Sequence, residues 1–248
     1  MEVVGLTLTL IGEITGISRY PIKSFAGEDL DTCKIDSYGL MGDRCYAFYD
    51  ETKEGWDSFF TAREIPAMLA YKAKLVDERT SAEHPLVEIT SPEGQTFSWN
   101  EELLAEIQKY SKKKMRMRSY QAQSPDLKAV DEGSILIITD RSLQKLEAIW
   151  GKQLDARRFR ANILITVEEG AFGEKEWIGR RITVGGAELQ VDKYCDRCSM
   201  VTLDPDSLAR DASLLKKINT EMNLNFGVYA SVKKTGDIEV GEKVFLMG

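Results

Sequence analysis

The stretch Val191–Ser207, VDKYCDRCSMVTLDPDS, decides how the second half of the chain is read. A β-type segment, RITVGGAELQVDK, leads into it, and SMVTLDPD leaves it as a β-type run ending in an Asp-Pro-Asp turn. Extended chain on both sides of the Cys195–Cys198 pair predicts a β-rich scaffold. It is not the strand-to-helix step that carries a dithiol oxidoreductase CxxC, where a helix N-terminus stabilises the thiolate.

Residue chemistry leaves several readings of the pair. A structural zinc needs about four ligands, and the other candidates are Cys33, Cys45 and the single His84. Cys33 and Cys45 sit in strand-like contexts of their own. Two packed cysteines beside a turn remain possible, as does a thiolate that binds a soft metal or acts as a nucleophile. Arg197 favours a thiolate electrostatically and Asp196 opposes it.

Working outward, the first half is a series of short β-type segments: ITGISRYPI, DLDTCKID, DRCYAFYD, MLAYKAKLV, PLVEIT and TFSW. Turn signals separate them, and such spacing suggests a barrel or sandwich. NEELLAEIQKYSKKK predicts a helix capped by Asn100, with Lys112 to Lys114 at its end as solvated charge. YQAQSPDLKAVDEG, residues 120–133, is polar and turn-rich, a linker or long functional loop. The second half predicts a strand (SILIIT), then a helix (DRSLQKLEAIWG) capped by Thr139 or Asp140. Further strands follow, then an amphipathic helix at ASLLKKINTEMN, with FGVYASV and KVFLM as closing strands.

The expected class is therefore mainly β with α (α+β). A net charge of -7 argues against a general nucleic-acid binder. The apolar N-terminal run has no Lys or Arg ahead of it and is bracketed by Glu2 and Glu13, so it reads as a strand rather than a signal peptide. No stretch reaches the roughly 18 apolar residues that span a bilayer. The expectation is a cytoplasmic protein with no membrane and no nucleic acid among its partners.

Several ordered motifs resemble the MOSC family. CDRCSMVTLDPDS matches the pattern C-x-R-C-x-x-x-T-x-D-P-D and then departs, with Ser207-Leu208 where Thr-Gly is usual. Tyr20-Pro21-Ile22-Lys23-Ser24, the element YGLMGDRCYAF, Thr61-Ala62-Arg63 and Phe159-Arg160-Ala161-Asn162-Ile163 match in order. The resemblance runs from about residue 12 to the C-terminus, closest to the family's amidoxime-reducing branch. It implies an N-terminal β-barrel-like region, residues 1–120, followed by a MOSC β-barrel flanked by helices, residues 121–248.

It also implies a molybdenum cofactor (molybdopterin), with Cys198 as the metal ligand and catalytic residue and Cys195 as a neighbour. A thiolate suits molybdenum, and a phosphate-bearing pterin calls for cations and hydroxyls. Lys23, Ser24, Arg44, Arg160 and Asn162 are the expected cofactor contacts. Arg63 is a further candidate, as are Thr139 and Ser142, which helix capping explains equally well. Asp204 and Asp206 read as turn formers, and Trp177 and Phe226 as core. The implied activity is reduction of small N-hydroxylated compounds, fed by an external electron-donor protein. The alternative is a cofactor or sulfur carrier without turnover. Pyridoxal phosphate is not expected on this chain.

Overall fold

A run rich in Leu, Ile and Thr makes Leu8–Arg19 a strand of 12 residues, β1; its buried Ile11, Ile14 and Ile17 stand three apart, because register shifts interrupt the period-two alternation. The computed structural model describes residues 7–76, 85–120 and 132–248. β2 (Glu28–Leu30), β3 (Thr32–Asp36), β4 (Gly39–Leu40) and β5 (Tyr46–Tyr49) follow. β6 (Lys72–Leu75), β7 (Val87–Thr90), β8 (Thr96–Phe97), α1 (Glu101–Gln108) and β9 (Arg116–Ser119) complete the first half. The second half opens with β10 (Ile135–Thr139), α2 (Asp140–Trp150), β11 (Ile163–Val167), α3 (Glu174–Trp177) and β12 (Arg181–Val184). It ends with β13 (Ala187–Asp196), α4 (Ala212–Met222), β14 (Asn225–Lys234), β15 (Gly236–Glu239) and β16 (Lys243–Met247). The expected linker and the boundary at 120/121 fall mainly on residues outside the described set, as does His84.

The main sheet runs β11-β10-β14-β13-β12-β16-β1-β2, and the pairing of β11 with β1 closes seven of these strands into a barrel. Closure needs strong local twist and bend, which bulges supply. β1 shifts register between Leu10 and Gly12 against β16, and between Ile14 and Gly16 against β11. A Cβ on Gly12 would lie 2.3 Å from the Thr166 carbonyl oxygen, so the seam depends on the missing side chain. β10 and β11 pair in parallel, and α2 is the crossover that parallel pairing requires.

β10, ILIIT, is buried throughout because both of its faces are covered. Ile135 and Ile137 join the barrel interior with Trp177, Leu189 and Leu246. Leu136 and Ile138 pack outward with Leu146 of α2, and Leu214 and Ile218 of α4. A separate aromatic-rich core around Phe25, Phe48 and Tyr71 holds β5 to β8 and α1 together.

Asn100 caps α1 as expected, accepting from Leu103 N at 3.2 Å. The helix stops at Gln108, so Lys112 to Lys114 lie beyond it, exposed, rather than on its last turn. The predicted strand SMVT is instead one turn of 3-10 helix, Ser199–Thr202. Asp204 imposes the turn that follows: its Oδ1 accepts from Ser207 N at 2.9 Å and Ser207 Oγ at 2.8 Å.

Asp211 caps α4, accepting from Ser213 N at 3.0 Å. Lys152 first, and then Ser213, hold its carboxyl down to about 2. A depressed folded-state value means that this stabilisation is complete above about pH 4 and fades as pH falls through 2. Thermal midpoints of wild type and Asp211→Asn are expected to converge as pH drops from about 4 to 2. Midpoints that stay parallel across that window would exclude the carboxylate as the cause.

Candidate cofactor site

Residues from both halves meet around a cavity of about 350 Å³. Lys23, Ser24, Arg44, Trp56 and Arg63 line it from the first half. Leu136, Arg158, Arg160, Asn162, Arg197 and Cys198 line it from the second. Of the expected site residues, the cavity thus gathers Lys23, Ser24, Arg44, Arg63, Arg160, Asn162 and Cys198.

Thr139 and Ser142 are not among its lining residues. Thr139 Oγ1 accepts from Ser142 N at 3.1 Å as the α2 cap and donates to Glu174 Oε1 at 2.8 Å. The capping reading of that pair is the one the geometry uses. Burial raises the Glu174 carboxyl, while hydrogen bonds from Thr139 and Ser142 pull it back.

The chain around the cysteine pair is extended, so successive side chains point to opposite sides. Cys195 and Arg197 are buried, whereas Asp196 and Cys198 are exposed. Cys195 packs with Phe159, Val201 and Phe226. The two sulfurs are therefore inequivalent: both residues border the cavity, but only the Cys198 side chain is exposed. Among the described residues, no group of three or more His, Cys, Asp or Glu converges as a metal cage. That disfavours the zinc reading of CxxC.

Three lining residues hold left-handed backbone: Ser24 (φ 69), Arg44 (φ 50) and Arg160 (φ 54). Each costs about 1 kcal/mol or more for a non-glycine residue, and such strain persists where the surroundings over-determine it. The surroundings here are hydrogen bonds between the halves. Arg44 Nη2 donates to the Arg160 carbonyl at 3.1 Å, and Arg160 Nη1 donates to the Phe25 carbonyl at 2.7 Å. Asn162 Oδ1 accepts from Leu136 N at 3.1 Å, and its Nδ2 donates to the Ser18 carbonyl at 3.3 Å. Its amide therefore stitches strands together at the cavity floor.

Lys23 Nζ sits 3.7 Å from the Trp56 ring centroid, a cation–π contact that sets the ammonium in the wall. Arg197 is buried, donating from Nε to the Phe226 carbonyl at 2.8 Å and from Nη1 to the Phe159 carbonyl at 3.1 Å. Arg158 pairs with Asp204 at 2.7 Å. Buried N–H groups at Arg158 Nε and Arg197 Nη2 have no acceptor among the described residues. Sequence reasoning missed Trp56 and Arg158. Arg158 is masked in DARRFRAN by its neighbour Arg157, an exposed residue that pairs with Asp155 and Asp206.

Among the described residues, the lining sets Lys23, Arg44, Arg63, Arg158, Arg160 and Arg197 against Asp57, Glu132 and Asp196, with Asp43 and Asp204 paired to Arg44 and Arg158. The site is thus built for an anion, and its one exposed thiol suits a soft metal. A phosphate-bearing group that presents a thiolate-seeking metal fits this donor set.

The departure at Ser207-Leu208 keeps the turn. Leu208 holds φ 60, the conformation natural to the usual glycine, and its side chain packs against the first-half core.

Comparison with known proteins agrees with the fold. The chain is 25% identical to mitochondrial amidoxime-reducing component 1 of Mus musculus, covering 97% of this chain and 84% of that protein. It is 32% identical over 126 residues to mitochondrial amidoxime reducing component 2 of Homo sapiens, where it spans 37% of the relative's length. Human molybdenum cofactor sulfurase is 29% identical over 49% of this chain and 15% of its own. The YUAD protein of Bacillus subtilis has a similar fold, at TM-score 0.51, 12% identity and 98% coverage of each chain. The MOSC N-terminal beta barrel domain matches residues 11–135 and the MOSC domain residues 124–245. With both parts matched in order, the chain belongs to the MOSC family.

Proposed function

We propose that the cavity holds a molybdenum cofactor and that the protein reduces small N-hydroxylated compounds such as amidoximes, with the Cys198 thiolate as the protein ligand to the metal. The carrying observation is one exposed thiol sharing a cavity with six cationic side chains. Relatives named for amidoxime reduction and for the molybdenum cofactor support the reading.

Arg44 and Arg160 offer planar N–H donors to phosphate oxygens, and Lys23 and Arg63 add positive potential. Ser24 offers a hydroxyl. Asn162, spent on strand contacts, keeps the floor in place. When bound, the cofactor supplies the two-electron chemistry by which an N–OH group, two electrons and two protons become N–H and water. Cys198 stands on the exposed side of its strand end, so its sulfur is available to a metal at the cavity mouth. The electrons come from an external donor protein.

The test is molybdenum analysis of protein made in a cofactor-synthesising host, followed by turnover of an amidoxime with an artificial reductant. Close to one molybdenum per chain, with turnover, is expected. Absence of molybdenum sinks the reading. The sulfurase relative favours a second reading, a cofactor or sulfur carrier, which binds molybdenum and shows no turnover.

A further inference from the structure

Two of the arginines that face the cavity, Arg44 and Arg160, are also in contact with a residue that does not line it, Tyr20. The Arg44 and Arg160 guanidiniums both sit over the Tyr20 ring, with Cζ at 5.0 Å and 4.2 Å from its centroid. Tyr20 is buried, its N–H donates to Asp43 Oδ1 at 2.8 Å, and its carbonyl accepts from Arg44 N at 2.8 Å. Asp43, also buried, pairs through Oδ2 with Arg44 Nη1. Gly27 leaves room for the ring: a Cβ there would lie 2.6 Å from Tyr20 Cδ1.

Two guanidiniums close to each other repel, and an anion site needs them close. A shared aromatic ring attracts both cations and so offsets part of their repulsion. One buried carboxylate, paired with Arg44, offsets part of the charge. Burial raises the Tyr20 hydroxyl, with Arg160 and then Arg44 pulling it down, so the ring stays neutral at physiological pH.

We infer that Tyr20 and Asp43 are positioning residues that hold Arg44 and Arg160 as one cradle for a phosphate monoester. The inference rests on the cavity taking the phosphate-bearing cofactor. Their part is to fix the spacing of the cradle, and they do not touch the ligand.

Tyr20→Leu removes the ring, and Tyr20→Phe keeps it. Asp43→Asn keeps an oxygen for Tyr20 N and removes the charge. Leu189→Ala, in the barrel interior, controls for lost stability alone. Molybdenum per chain after dialysis is read beside the thermal midpoint, with a crystal structure of apo Tyr20→Leu, or of apo Asp43→Asn if the former does not fold. About tenfold less retained molybdenum is expected in Tyr20→Leu and Asp43→Asn. A change under about twofold is expected in Tyr20→Phe and in Leu189→Ala. The crystal is expected to show displaced guanidiniums. Equal molybdenum loss in Leu189→Ala, or guanidiniums that stay in place, overturns the inference. Wild type without molybdenum overturns the functional reading alone, because the crystal still decides whether ring and carboxylate hold the arginines.

Discussion

Cys198→Ala is expected to bring bound molybdenum down to background, whereas Cys195→Ala retains it. The asymmetry follows from the extended chain at 195–198, which turns one sulfur into an apolar cluster with Phe159 and Phe226 and the other to solvent at the cavity. Both cysteines border the cavity, but only the Cys198 side chain is exposed there, so Cys198 is the sulfur open to a metal. Removing the Cys195 sulfur vacates a small core position and costs stability on the order of 1 kcal/mol. Elemental analysis of both variants at equal purity is the measurement. Molybdenum retained in Cys198→Ala would reject that sulfur as the ligand, and loss in Cys195→Ala alone would reverse the assignment.

Trp177→Ala is expected to cost about 3–5 kcal/mol, the range for truncating a large buried aromatic. Trp177 is 0% exposed, sits in the barrel interior cluster with Ile182 and Leu246, and donates from its indole nitrogen to the Phe172 carbonyl at 2.9 Å. Truncation leaves a cavity in the barrel and a carbonyl without its donor. At this chain length the loss corresponds to a thermal midpoint roughly 10 °C lower. Denaturant titration gives the free energy directly. A loss below about 1 kcal/mol would mean that the barrel closes around a smaller side chain without strain.

The strands were legible from local pattern. TCKID and VEIT show period two in sequence and in structure, whereas ITGISR was legible from its β-branched residues, its alternation being broken by a register shift. Caps were legible too, since Asn100 and Thr139 use local chemistry. The pairing of β1 with β11, about 150 residues apart, was not, because register across that distance is set by packing and not by either segment. SMVT was read as strand from its β-branched residues, but the Asp204 turn just after it draws the chain into a 3-10 turn. Most of the candidate site could be named because motif matches placed Lys23, Arg44, Arg160 and Cys198 in one set. Tyr20 and Asp43 stood in the same motifs unremarked, because their contribution is to hold other side chains.

β1 belongs to the first half in sequence and to the barrel in space. A fragment that starts near residue 121 carries β10 to β14 and β16 but not the strand that joins β16 to β11. Its barrel would open into a sheet with two unpaired edges, the kind of edge that recruits another copy of the chain. The long first strand is thus also a guard against self-association.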